Sequence, residues 1–190
     1  MQSTAAWRHD IAEAHQRKAV DLYRKAAKQG YVNAQYRLAV CYADGTGVAA
    51  SAEAAVNWYG RAAEQGHANA QYRLAVCYAD GTGVAANVVA AVKWYRMAAE
   101  QGHADAQYRL AVCYAEGAGV AWNAVAAVEW YHKAAEQLHS DAQYRLGVCY
   151  ADGLGVNADA KAAVYWYHKA AVQGHVDAQY CLGVCYADGF

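Results

Sequence analysis

The sequence contains no proline, a single phenylalanine and a single isoleucine, so chain punctuation is left to its 16 glycines and to short polar residues. It also lacks a surplus of either charge: 16 Lys+Arg stand against 17 Asp+Glu, a formal net charge of −1. Phosphate-rich partners need positive charge concentrated on some face, so this balance argues against nucleic acid and against an anionic membrane surface. No stretch approaches the roughly 20 apolar residues of a membrane span. The segment from Met1 to Lys18 lacks the roughly 7–15-residue apolar run of a secretion signal, so a cytoplasmic, soluble protein is the expectation. Charged residues are 17% and aromatic residues 13% of the chain, too few and too many respectively for a disordered polypeptide. The 190 residues have the length of one ordinary domain.

What is present is self-similarity. Gln35, Gln71, Gln107, Gln143 and Gln179 recur every 36 residues, each opening a near-copy of Ala-Gln-Tyr-Arg-Leu-(Ala/Gly)-Val-Cys-Tyr-Ala-(Asp/Glu)-Gly, with Cys181 in place of Arg in the last copy. A second block follows in register: Trp58-Tyr59, Trp94-Tyr95, Trp130-Tyr131 and Trp166-Tyr167, each leading to an Ala-Ala pair. A fixed period of this length marks a solenoid, in which one supersecondary unit buries its apolar face against its neighbours. Each unit reads as two helices, A and B. Asn33, Asn69, Asp105, Asp141 and Asp177 are expected to cap helix A, and Ser51, Asn87, Asn123 and Asp159 to cap helix B. Gly45, Gly81, Gly117 and Gly153 are placed to end helix A; Gly30, Gly66, Gly102 and Gly174 are placed to end helix B, with Leu138 standing where the series calls for glycine. The expected fold is all-α: a single repeat domain over 1–190, with an N-terminal helix B in 1–30, full repeats at 31–66, 67–102, 103–138 and 139–174, and a final helix A in 175–190. No helix B follows that last helix A, so Leu182 and Tyr186 are expected to be uncovered, as in a fragment of a longer protein or an end available for self-association.

On helix A, Ala34, Leu38, Cys41 and Tyr42 recur at helical spacing and form the expected core stripe, while Tyr36, Arg37, Val40, Ala43 and Asp44 occupy the other side. The cysteine ladder Cys41, Cys77, Cys113, Cys149 and Cys185 has one rung per repeat. Rungs about 8–10 Å apart exceed the roughly 7 Å that a disulfide spans, so these are read as reduced, buried small hydrophobes. Cys181 and Cys185 lie one turn apart and form a weak soft-metal candidate. His67, His103, His139 and His175 fall in the B–A turns, and steps of this size do not converge on a zinc ion, so they are read as polar turn residues. The Gly-x-Gly pieces such as Gly81-Thr82-Gly83 lack a third glycine, a Lys-Ser/Thr and a preceding strand, and are helix–helix turns, not phosphate loops. Trp58, Trp94, Trp130 and Trp166 read as core pillars; Trp122 and Tyr165, whose counterparts are small or polar, read as exposed apolar contact points. No cofactor and no metal site is expected.

The pattern Leu146-Gly147, Tyr150, Gly153-Leu154-Gly155-Val156, Trp166-Tyr167, Lys169-Ala170-Ala171 and Gly174, repeated with variation upstream, resembles the SEL-one-like repeat (SLR) family, a relative of the tetratricopeptide repeats. Ala39, Ala75 and Ala111 stand where the family usually has glycine, and small enough side chains preserve close helix approach. The resemblance implies a right-handed α-solenoid of tandem antiparallel helix hairpins whose A helices line a concave surface that holds partner proteins. It implies a non-enzymatic scaffold or adaptor for a protein or peptide partner. A cysteine-rich branch of the family staples helix B to the next helix A by disulfides, and some of its members bind or cleave penicillin-like compounds. The corresponding positions here are Ala63 with Gln71, Ala99 with Gln107 and Ala135 with Gln143, so the staple is missing and that alternative activity is disfavoured. The expected contact face consists of Tyr36, Arg37, Val40, Tyr72, Arg73, Val76, Tyr108, Arg109, Val112, Tyr144, Arg145, Val148 and Tyr180, because aromatic and arginine side chains combine contact area with directional donors. The competing reading pairs each Arg with Asp44, Asp80, Glu116 or Asp152 and lets each Tyr pack laterally.

Overall fold

Capping side chains and left-handed turn residues cut the chain after its first helix into helices of 12 or 13 residues. The computed structural model describes residues 4–189, with side chains from residue 12 onward; Met1–Ser3 and Phe190, assigned above to the first and last segments, lie outside the described residues. The described residues form ten helices and no strand: α1 (Thr4–Lys28), α2 (Val32–Asp44), α3 (Ala52–Glu64), α4 (Ala68–Asp80), α5 (Val88–Glu100), α6 (Ala104–Glu116), α7 (Ala124–Glu136), α8 (Ser140–Asp152), α9 (Ala160–Val172) and α10 (Val176–Ala187). The even-numbered helices are the A helices and the odd-numbered ones the B helices. No helix among the described residues is long and apolar enough to cross a membrane.

The boundaries have local causes. Helix B begins on a side-chain acceptor: Ser51, Asn87, Asn123 and Asp159 take hydrogen bonds from backbone N–H groups three residues on, at 3.0–3.2 Å. Helix A ends where Gly45, Gly81, Gly117 and Gly153 enter the left-handed region at φ 70–73°. Helix B ends in a Schellman turn, in which Gly66 N–H donates to the Ala63 carbonyl and His67 N–H to the Ala62 carbonyl. Leu138 performs the same turn at φ 65°, with Leu138 N–H on Ala135 and His139 N–H on Ala134. The turn is therefore built as in the other copies and is strained by its side chain.

One expectation is overturned. Asn69, Asp105, Asp141 and Asp177 are the second residues of their helices, not the caps. The caps are the preceding histidines: His67, His103, His139 and His175 accept from Ala70, Ala106, Ala142 and Ala178 N–H at 3.2–3.3 Å through Nδ1. The physical reason is that Nδ1 hangs on Cγ as the side-chain oxygen of asparagine does, so a neutral imidazole presents an acceptor at the same reach. Asn33 is likewise the second residue of α2, whose flanking residue Tyr31 makes no side-chain cap.

Contacts divide the chain into two units, Met1–Trp94 and Tyr95–Phe190. In the first, α1 packs on α2, α2 on α3 and α3 on α4; in the second, α6 packs on α7 and so on in order to α10. The core of the first unit is built on Val20, Ala27, Leu38, Ala39, Tyr59, Ala62 and Leu74. That of the second is built on Ala111, Val128, Tyr131, Ala134, Leu146 and Cys149. Ala39, Ala75 and Ala111 have no exposed surface, so alanine is accommodated at the close helix contact. The second glycine of three Gly-x-Gly turns, Gly47, Gly83 and Gly155, has a steric cause: a Cβ on Gly83 would stand 2.4 Å from the Ala52 carbonyl group, where the turn presses on helix B.

Candidate functional site

The outward side of helix A alternates exposed arginine with half-buried tyrosine and valine. In the first unit Arg37 and Arg73 are exposed while Tyr36, Val40, Tyr72 and Val76 are half-buried; in the second, Arg109 and Arg145 are exposed while Tyr108, Val112, Tyr144 and Val148 are half-buried. Tyr180 is 73% exposed and stands apart from this pattern.

The tyrosines are ordered by the cap histidine that follows the next helix B. Tyr36 stacks on His67 with ring centroids 4.5 Å apart, Tyr108 on His139 at 4.6 Å and Tyr144 on His175 at 4.7 Å. Each also meets a buried tyrosine of that helix B at 6.0 Å: Tyr59, Tyr131 and Tyr167 respectively. Burial pushes the Tyr59 hydroxyl up to about 12, and pushes those of Tyr131 and Tyr167 up as well. His139 Nε2 lies 3.4 Å from Asp105 and His175 Nε2 lies 3.3 Å from Asp141. One imidazole thus caps its own helix, stacks on the tyrosine of the previous A helix and faces the second residue of that helix.

The arginines are not used up in the same way. Among the described residues Arg37, Arg73 and Arg145 form no ion pair with Asp44, Asp80 or Asp152, contrary to the competing reading. Burial opposes the charge of Arg145, but its hydrogen bond and charge interaction with the Tyr108 hydroxyl outweigh that opposition. The face therefore presents positive donors over an aromatic and aliphatic floor.

Four glutamines escaped the sequence reading as anything but markers. Gln35, Gln71, Gln107 and Gln143 are buried, with at most 5% exposure. Their amide groups donate to the carbonyls of Ala27, Ala63, Ala99 and Ala135, eight residues earlier, at 3.0–3.3 Å. In three of them the side-chain oxygen accepts from the glutamine ending the following helix B: Gln65 to Gln35, Gln137 to Gln107 and Gln173 to Gln143, all at 2.7 Å. The pairs Ala63–Gln71, Ala99–Gln107 and Ala135–Gln143, where the resemblance leads one to look for a disulfide staple, are joined instead by a hydrogen bond.

The remaining candidates separate clearly. All six cysteines are free; Cys113 and Cys149 are buried, and Cys41, Cys77, Cys181 and Cys185 are half-buried. Burial raises the thiols of Cys41, Cys77, Cys113 and Cys149 above the usual range, away from nucleophilic chemistry. Trp58 and Trp130 pack against the core but remain half-buried, with Arg61 4.6 Å and Lys133 3.8 Å from their ring centroids. Trp122 and Tyr165 are exposed, at 66% and 52%, as their positions in the repeat led one to expect; of Leu182 and Tyr186, expected to be uncovered, Tyr186 is exposed at 58% and Leu182 is half-buried.

Six successive segments match the Sel1 repeat: 16–31, 32–67, 68–103, 104–137, 140–175 and 176–190. The chain belongs to the Sel1 repeat family. A protective antigen of uropathogenic Escherichia coli with an SLR fold shares 41% identity and a TM-score of 0.87 over 90% of this chain and 36% of its own. A Sel1 repeat protein from Oxalobacter formigenes shares 38% identity and a TM-score of 0.78 over 87% of this chain and 66% of its own. The chain thus spans about a third of the length of the first of these relatives. Cysteine rich protein B of Helicobacter pylori is similar in fold, at 22% identity and a TM-score of 0.54, over 68% of this chain and 93% of its own. No curated protein matches the chain significantly. The fold is accordingly the all-α solenoid of tandem helix hairpins seen in Sel1 repeat proteins. Proteins of this family are in general non-enzymatic scaffolds that bind other proteins.

Proposed function

We propose that this Sel1 repeat chain is a non-enzymatic scaffold that holds a partner polypeptide on the outward face of its A helices. The observation that carries this reading is that Arg37 and Arg73 in the first unit, and Arg145 in the second, are exposed and form no ion pair with Asp44, Asp80 or Asp152, while Tyr36, Tyr108 and Tyr144 on the same helix faces are already ordered by stacking on His67, His139 and His175. Ordered aromatic groups lose little rotamer freedom when a ligand arrives, so burial of a partner converts more fully into affinity. Exposed guanidinium groups supply directional donors to backbone carbonyls and carboxylates of that partner.

The test replaces Arg37 and Arg73 with glutamate, leaving the tyrosines and Arg145 in place. Proteins retained from the native host by the immobilised wild-type chain are identified by mass spectrometry, and the best-retained one is titrated against both chains. The variant is expected to bind it at least tenfold more weakly, with unchanged helicity and melting temperature. Equal binding by the charge-reversed chain overturns the assignment of this face.

A further inference from the structure

The repeats are not electrically alike. The first unit, Met1–Trp94, carries ten Lys and Arg against seven Asp and Glu, while the second, Tyr95–Phe190, carries six against ten. On the outward face of the A helices the difference falls on one position. Four residues before each arginine, and so one turn away on the same side of the helix, stand Asn33 and Asn69 in the first unit but Asp105 and Asp141 in the second. All four are exposed.

In the second unit negative charge thus accompanies positive on this face. Asp105 lies 3.4 Å from His139 Nε2 and Asp141 3.3 Å from His175 Nε2, and Arg145 is hydrogen-bonded to the Tyr108 hydroxyl. The first unit has no such compensation: Arg37 and Arg73 form no ion pair, and the asparagines one turn earlier are neutral. Tyr36 of α2 stacks at 4.5 Å on His67, the cap of α4, and Val40 shares a core cluster with Leu74, so α2 and α4 stand side by side and the two guanidinium groups belong to one surface. Arg37, Arg73, Arg109 and Arg145 are all exposed, so the exposure belongs to the repeat and not to its place in the chain. Like charges on one surface repel, and an anion laid across them relieves that repulsion.

We infer that the first unit holds an acidic polypeptide segment whose carboxylates are taken up by Arg37 and Arg73, an inference that rests on the reading of this face given above. A guanidinium group matches a carboxylate with two parallel hydrogen bonds. The half-buried Tyr36, Val40, Tyr72 and Val76 beside the arginines offer contact area to the backbone and aliphatic carbons of the same segment. A nucleic-acid strand fits less well, because its bases need open aromatic faces and one face of Tyr36 is already covered by His67. Asp105 and Asp141 make the second unit the poorer site for such a segment, so its acidic part is confined to α2 and α4.

The test follows the fluorescence anisotropy of a fluorescein-labelled peptide of alternating Glu and Gly on titration with the full chain. Saturable binding is expected, with none for the matching Gln–Gly peptide. The double variant Asn33→Asp with Asn69→Asp gives the first unit the residues of the second and so preserves the helices, which circular dichroism verifies; it is expected to bind the Glu–Gly peptide at least fivefold more weakly. No binding of the Glu–Gly peptide, equal binding of the Gln–Gly peptide, equal binding by the folded double variant, or tighter binding of a labelled oligothymidylate each overturns the inference. Should one of these occur while reversal of Arg37 and Arg73 still releases the protein retained from the host, the face stands as a docking surface and only its preference for acidic segments falls.

Discussion

At the scale of single residues, one side chain sits in a conformation that its chemistry disfavours. Leu138 adopts φ 65° in a turn that Gly30, Gly66, Gly102 and Gly174 make elsewhere, and it is 65% exposed, so no packing repays the strain. A left-handed conformation costs an L-residue roughly 1–2 kcal/mol, offset in part by the roughly 0.5–1 kcal/mol of extra chain entropy that glycine loses on folding. Leu138→Gly is therefore expected to raise stability by up to about 1 kcal/mol, measured as a higher urea midpoint at unchanged slope. This feature was legible from the repeat alignment within the chain itself. The buried glutamines were not: a polar residue recurring at a fixed interval reads as surface, and nothing local says that the Gln143 amide meets the Ala135 carbonyl and the Gln173 side chain. Removing such an amide would strand buried polar groups on two helices at once, which explains why an apolar core keeps it.

At the scale of the helical element, the histidine cap ties helix stability to proton concentration. His67 can cap α4 only while Nδ1 is unprotonated, because a protonated ring has no acceptor to offer the Ala70 N–H. Burial lowers the His67 pKa below its ordinary value. A folded-state value below the unfolded one means that the unfolded chain binds the proton first as pH falls. Stability is accordingly full above about pH 6.5 and declines as pH drops from there through the folded-state value, below which the loss is complete. His67→Asn keeps the acceptor and removes the titration. Its stability, followed by thermal melting between pH 7.5 and 5, is expected to fall less than that of the wild-type chain by about 1 kcal/mol, the usual worth of a cap; parallel curves for the two would contradict the cap's role. The helix boundaries themselves were legible at this scale, since Ser51, Asn123 and the glycine stops act through near neighbours. The A-helix caps were assigned two residues too late, because imidazole lies outside the usual set of capping side chains while its acceptor has the same reach.

At the scale of the whole molecule, the balance of hydrogen bonds and cysteines says how the repeats are joined. The chain joins helix B to the next helix A through glutamine amides and carries six free thiols. Denaturing the protein without a reductant is therefore expected to expose six thiols to a chromogenic disulfide reagent, and the native protein to release colour in at least two phases, with Cys113 and Cys149 slowest. A count of four or two would mean that cross-links join the repeats after all. The Sel1 repeat assignment is consistent with this construction, since stacked hairpins distribute their stability over many equivalent contacts without requiring covalent ties.

The sequence by itself determined the period, the two-helix unit, the turn glycines and the residues of the arginine-bearing face, because each of these rests on forces acting within a few residues: backbone torsion, capping and helical periodicity. Only the tertiary structure decided that Tyr36, Tyr108 and Tyr144 stack on histidines from the following repeat, that Arg37, Arg73 and Arg145 stand clear of the acidic residues on their own helices, and that the glutamines bridge neighbours. Those outcomes depend on the distance and angle at which separate hairpins meet, and these are set by the combined packing of side chains from several helices, not by any one segment.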